Sequence, residues 1–222
     1  LFPDSLYDSL IDWMQRRHGW CIQRDWIVMC PGVVPSINAA VMAFTQPGES
    51  VIIQPPVYFP FFSAVTQTGR KLIQNPLHLE NGRYTIDFDH LVQCAKNAQL
   101  LLLCSPHNPV GRVWNSDELE RLLAIAAKHD VVVFSDEIHA DLIYPGHQHH
   151  AIATLPQNTG KIITAVAPSK TFNIPGLNLS TLIIPDKSIR NSIMQVFNNM
   201  HVSTSNPFSI TAFETAYREG EA

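Results

Sequence analysis

The sequence predicts an α/β fold, a three-layer α/β/α sandwich around a mostly parallel central sheet. Two patterns point to it. Unbroken apolar runs recur at Trp26–Met29, Val51–Ile53, Leu100–Cys104, Val131–Phe134, Lys161–Val166 and Thr181–Ile184. Strands buried on both faces read as such runs, whereas half-exposed strands alternate. Between the runs lie helical patterns at Ser5–Arg17, Ser36–Phe44, Ser116–Lys128, Ser188–Met200 and Ser209–Arg218. Strands alternating with helices imply helices on both faces of one sheet.

Taken in order, the Ser5–Arg17 pattern precedes the first apolar run. The long uncharged stretch from Asp25 to Glu49 is broken by Pro31, Gly32, Pro35, Asn38 and Pro47, so it reads as strand, loop and helix and is no membrane span. Cys94 falls on a helix and Cys104 in a strand. The clearest helix start is Asn115-Ser116-Asp117-Glu118, a capping residue before an acidic first turn. Leu119, Leu122, Leu123 and Ala126 then share one face at helical spacing.

The chain has 222 residues without internal repeats, low-complexity tracts or linkers, and one domain over 1–222 is expected. Lys plus Arg is 15 against 19 Asp plus Glu, a formal charge of −4. That balance lacks the broad basic field of a nucleic-acid binder. Hydrophobic residues at 45% exclude a disordered chain. Charged residues are only 15%, against about 25% for an average soluble domain, so another domain or subunit is expected to cover part of the surface. Four cysteines with no CxxC pair fit a reduced, cytoplasmic protein with structural thiols. The chain begins at Leu1 and stops at Tyr217-Arg218-Glu219-Gly220-Glu221-Ala222, just past a helical pattern. A piece of a longer protein is expected.

Ligands of open α/β sheets bind beyond the carboxyl ends of the strands. Four such ends carry Gln54-Pro55-Pro56-Val57-Tyr58-Phe59-Pro60, Ser105-Pro106-His107-Asn108-Pro109-Val110-Gly111-Arg112, Ser135-Asp136-Glu137-Ile138-His139-Ala140-Asp141 and Ala167-Pro168-Ser169-Lys170-Thr171-Phe172-Asn173. An aromatic, an amide, a carboxylate and a lysine thus meet at one sheet edge. Pyridoxal phosphate chemistry needs this set: a lysine to form the Schiff base and an acid to partner the pyridinium nitrogen. An amide tunes the phenolate oxygen, and an aromatic ring can stack on the cofactor face. The phosphate needs backbone N–H groups at a helix start, which Gly32-Val33-Val34 before Ser36 can supply.

Pro106-His107-Asn108-Pro109-Val110-Gly111-Arg112, Ser135-Asp136-Glu137-Ile138-His139 and Pro168-Ser169-Lys170-Thr171-Phe172-Asn173 resemble the motifs of fold-type I pyridoxal-phosphate enzymes. More narrowly they resemble the MalY/PatB group of cystathionine β-lyases within the class I/II aminotransferase family, over essentially the whole chain. The resemblance implies Lys170 as the Schiff-base lysine and proton carrier. It implies Asp136 on the pyridine nitrogen, Asn108 on the phenolate oxygen and Tyr58 stacked on the ring. Ser169 and the backbone of Val33 and Val34 would hold the phosphate. His139 stands where aminotransferases of this superfamily carry a tyrosine. Two positions depart from the aminotransferase pattern: Asn178 replaces a phosphate-binding arginine, and Ala167 a serine.

The resemblance further implies that 1–222 is the large cofactor-binding domain of a homodimeric enzyme. The small domain and an N-terminal segment would lie outside it. The expected activity is α,β-elimination of L-cystathionine or a related cysteine S-conjugate, in methionine biosynthesis. An aminotransferase of aromatic or histidinol-phosphate type is the first alternative, and a non-catalytic effector domain of a transcription regulator the second. Plainer readings exist residue by residue. Asp136 can serve as a helix cap, Asn108 as a turn residue, Tyr58 as core or interface and His139 as a packed histidine. His147, His149 and His150 read as solvated loop residues rather than metal ligands.

Overall fold

The structure, a computed structural model, describes residues 2–158, 160–202 and 206–220. Leu1, Glu221 and Ala222, at the two chain ends, lie outside the described residues. The chain runs α1 (Asp4–His18), β1 (Ile27–Cys30), α2 (Val33–Phe44), β2 (Ser50–Ile53), α3 (Pro60–Thr66) and β3 (Lys71–Gln74). A hairpin, β4 (His78–Glu80) and β5 (Arg83–Thr85), leads to α4 (Phe88–Ala95), β6 (Leu100–Cys104), α5 (Ser116–Lys128) and β7 (Val132–Asp136). Then follow β8 (Ile162–Val166), β9 (Ser180–Ile183), α6 (Lys187–Asn199) and α7 (Pro207–Glu219).

The central sheet has seven strands in the order β1-β9-β8-β7-β6-β2-β3. Pairings among β3, β2, β6, β7 and β8 are parallel, while β9 runs antiparallel to both β8 and β1. The expected mostly parallel sheet and three layers are present. Alternate strand residues feed opposite cores. Leu100, Leu102 and Cys104 of β6 pack with Ile37, Val41, Phe61 and Ile193 of α2, α3 and α6. Leu101 and Leu103 pack with Leu91, Leu119, Leu122 and Ala126 of α4 and α5. A third cluster joins Leu6, Leu10 and Trp13 of α1 to Phe213 and Tyr217 of α7, over Ile27 and Ile183.

Local chemistry sets the element ends. At α5 the Asn115 side chain accepts from the Glu118 N–H at 2.8 Å, and the Glu118 carboxylate accepts from the Asn115 N–H at 3.0 Å. This reciprocal capping box satisfies two N–H groups that the helix leaves over. Gly19 ends α1 in the left-handed conformation, φ 63°, donating to Gln15 O, as helix-terminating glycines do.

Several expected boundaries move. Helix α2 starts at Val33 rather than Ser36, because Pro35 lies in a first turn where its missing N–H costs nothing. Strand β7 reaches Asp136 rather than stopping at Phe134. Elements α3, β3, β4 and β5 are additional to those expected.

Candidate active site

The sheet order places the carboxyl ends of β2, β6, β7 and β8 side by side, with the start of β9 beside the end of β1. One cavity of about 400 Å³ opens there, within the volume range of small-molecule sites. Every residue that the sequence pointed to as a cofactor contact lines it: Val33, Val34, Tyr58, Asn108, Asp136, His139, Ser169 and Lys170. Asn178 and Ala167, the two departures, line it as well.

Asp136, the last residue of β7, is buried, and one of its oxygens accepts from the Ile138 N–H at 3.2 Å. Burial pushes its pKa up to about 7, and the Glu137 charge adds to the rise. The Ile138 hydrogen bond and the Lys170 charge pull the other way. A buried carboxyl with one backbone donor favours a cationic or N–H partner. Burial also lowers the His139 pKa, and the Lys170 charge lowers it further. Lys170 therefore acts electrostatically on both neighbours. Among the described residues lining the cavity, it is the only amine.

The Asn108 loop is fixed from three sides. The Arg112 guanidinium donates to both Glu118 oxygens, at 2.8 and 2.6 Å, and lies 4.4 Å from the Trp114 ring centroid. Trp114 Nε1–H donates to the carbonyl of Cys104, the last residue of β6, at 3.0 Å. His107 Nε2–H donates to Pro56 O at 3.0 Å, tying this loop to the one that carries Tyr58. The Asn108 N–H itself points at Cys104 Sγ, 3.3 Å away. Cys104 lines the cavity floor as a thiol whose pKa burial raises, which keeps it a packing group rather than a nucleophile.

At the opposite wall, Val33 and Val34 are the first two residues of α2. N–H groups of a first turn have no acceptor within their own helix. Gly32 precedes them with φ 137°, and no side chain caps the helix. Ser169 lines the same cavity.

One sequence expectation is corrected. His149 is not solvated: its side chain is 3% exposed and Nε2 lies 2.8 Å from a Glu137 oxygen. Folding of the 140–149 loop back over β7 produces this contact, which a turn-rich segment does not announce. His18 and Thr171 were also not singled out. Both bind Asp141, at 2.8 and 2.7 Å. Among the described residues no group of three or more His, Cys, Asp or Glu side chains forms a metal site, and no helix is long and apolar enough to cross a membrane.

The cystathionine beta-lyase PatB of Bacillus subtilis (strain 168) is 43% identical over 216 residues, 96% of this chain and 56% of that protein. The crystal structure of cystalysin from Treponema denticola, described as containing a pyridoxal 5'-phosphate cofactor, superimposes with a TM-score of 0.97 at 42% identity, covering all of this chain and 57% of that one. The pyridoxal-phosphate-bound C-S lyase of Staphylococcus hominis gives a TM-score of 0.92 at 33% identity, again over all of this chain and 57% of the other. The chain thus spans a little over half the length of these relatives. The model of the family described as "Aminotransferase class I and II" matches residues 3–216, and the chain belongs to that family.

Proposed function

We propose that this chain binds pyridoxal 5'-phosphate through Lys170, and that the protein to which it belongs is a carbon–sulfur β-lyase. The observation that carries the reading is the convergence of Lys170, Asp136, Asn108 and Tyr58 on one cavity from four strand ends. Similarity to cystathionine β-lyases supports this choice of reaction. The residues fit the cofactor. The uncapped start of α2 and the Ser169 hydroxyl suit a phosphate, and a carboxyl that burial leaves reluctant to ionise, as in Asp136, suits a ring N–H⁺.

When bound, pyridoxal phosphate supplies an aldehyde that condenses with amines and a ring that takes up the electrons left when a substrate Cα loses its proton. Lys170 would hold the cofactor covalently, and its Nζ, once free, would take the Cα proton of the substrate. Asp136 would pair with the ring N–H⁺. The Asn108 amide would donate to the ring oxygen, Tyr58 would cover one face of the ring, and the N–H groups at the start of α2 with Ser169 would hold the phosphate. His139 lines the same cavity. The net reaction converts L-cystathionine and water to homocysteine, pyruvate and ammonia.

By the same reading, residues 1–222 are the cofactor-binding portion of a homodimer, and the group that grips the substrate carboxylate lies outside them. Multiple turnovers of L-cystathionine by the full-length protein, with no keto acid present, are the expected result. A single half-reaction that leaves the cofactor as pyridoxamine phosphate would instead make the enzyme an aminotransferase.

A further inference from the structure

The side chain of Lys170 makes no hydrogen bond or ion pair among the described residues, so its direction depends on the turn that carries it. That turn closes with the Phe172 N–H on Pro168 O at 2.9 Å and the Ile174 N–H on Ser169 O at 3.0 Å, while the Asn173 N–H reaches Lys170 O only at 3.4 Å. Asn173 sits at φ 53°. The two residues that follow Lys170 both reach away from the cavity. Thr171 Oγ1–H donates to Asp141 Oδ2 at 2.7 Å. The Phe172 ring packs edge-on against Trp13 of α1, with centroids 5.6 Å apart, and against Tyr217 of α7 at 6.1 Å.

The other oxygen of Asp141 lies 2.8 Å from Nε2 of His18, the last residue of α1, and both side chains are under a tenth exposed. Burial works against ionising Asp141, but the hydrogen bonds from His18 and Thr171, with the charges of His18 and Arg17, outweigh it and lower its pKa. Behind this pair the His18 and His149 rings meet edge-on at 5.7 Å, and His149 holds Glu137, the neighbour of Asp136. One buried carboxylate therefore spends each oxygen on a different element. A buried, hydrogen-bonded carboxylate is a poor source of net stability compared with apolar packing, and its best use is to impose geometry.

We propose that Asp141 is a positioning residue for Lys170: by holding His18 and Thr171 together it fixes the lysine-bearing turn to the end of α1. The proposal rests on the reading of Lys170 as the cofactor lysine. Placement of a proton-transferring group is sensitive to shifts of about 1 Å. A loosened turn then slows turnover while leaving substrate affinity alone.

The test compares Thr171→Val, Thr171→Ser and Asp141→Asn in the full-length protein. Two quantities are read: amide hydrogen exchange of residues 169–174, with and without pyridoxal phosphate, and kcat and KM for L-cystathionine. Thr171→Val should speed exchange in the turn and lower kcat roughly tenfold, with KM unchanged to within about twofold. Thr171→Ser, which keeps the hydroxyl, should restore both, and Asp141→Asn should resemble Thr171→Val. Wild-type exchange or wild-type kcat in Thr171→Val overturns the proposal, as does a serine variant no better than valine. Should Asp141→Asn not fold, the two Thr171 variants decide alone. If wild-type protein fails to turn over, the proposed function falls, and the exchange comparison still decides whether Asp141 holds the turn.

Discussion

A carboxyl at the end of a buried strand ionises at a cost, and Asp136 carries that cost until a cationic partner arrives. Its pKa of about 7 in the folded chain lies above the value of an unfolded aspartate, about 3.9. Protonated Asp136 therefore favours folding below about pH 4, and this contribution is lost as pH rises through about 7. Without cofactor, Asp136→Asn should flatten the stability profile between those values relative to wild type, the whole effect being at most about 4 kcal/mol. Denaturant melts at several pH values check it; parallel profiles would refute the assignment. His107 has the opposite sign. Burial lowers its pKa to about 4, so its contribution is present above about pH 6.5 and fades as pH falls through about 4. Comparing variant with wild type cancels it. Asp136, Asn108 and Lys170 were legible because each follows an apolar run closely, and a strand end fixes where such a residue goes. His149 was not, since its burial against Glu137 depends on a loop folding back over the sheet.

Helix α2 shows what the site asks of an element. Its start is set by Gly32 at φ 137°, where an added Cβ would meet only Pro35 atoms at ordinary contact distances of 3.5 and 3.9 Å. The penalty for a side chain there is backbone strain rather than a clash. Gly32→Ala should cost about 1–3 kcal/mol and weaken pyridoxal phosphate binding, because the N–H groups of Val33 and Val34 turn with it. Titration of the cofactor's visible absorbance checks this, and unchanged affinity would remove α2 from the phosphate site. At α5, Asn115→Ala should cost about 1 kcal/mol of stability through loss of the cap and leave the shape of the cavity alone. The capping box of α5 could be read directly from the sequence. So could one missed element, since Asn81-Gly82 at φ 49° and 76° is the turn chemistry of a two-residue hairpin. Strand β3 was harder to see: it is a short edge strand with exposed Lys71 and Gln74 and lacks the apolar run that marks its buried neighbours.

For the molecule as a whole, alternation of apolar runs with helices implied the layers, and the rule that ligands bind at carboxyl strand ends located the cavity. Strand direction is another matter. A run buried on both faces has the same composition whichever way it points, so nothing in Thr181–Ile184 distinguished antiparallel β9 from its parallel neighbours. The low charged fraction of 15% accords with exposed apolar side chains such as Phe59 at 74% and Phe208 at 77%. A ligand that binds only the folded state stabilises it by mass action, by about 2.7 kcal/mol at a hundred times its dissociation constant. Pyridoxal phosphate should therefore raise the melting temperature of the wild-type protein, and raise it less for Asp136→Asn. The most direct measurement is chemical. The full-length protein is loaded with pyridoxal phosphate, reduced with borohydride and digested, and the cofactor's mass is mapped onto the peptides. The cofactor should be found on the peptide that contains Lys170, in stoichiometric yield, and should vanish in Lys170→Ala. Cofactor on another lysine, or its retention in Lys170→Ala, would contradict the assignment of the cavity.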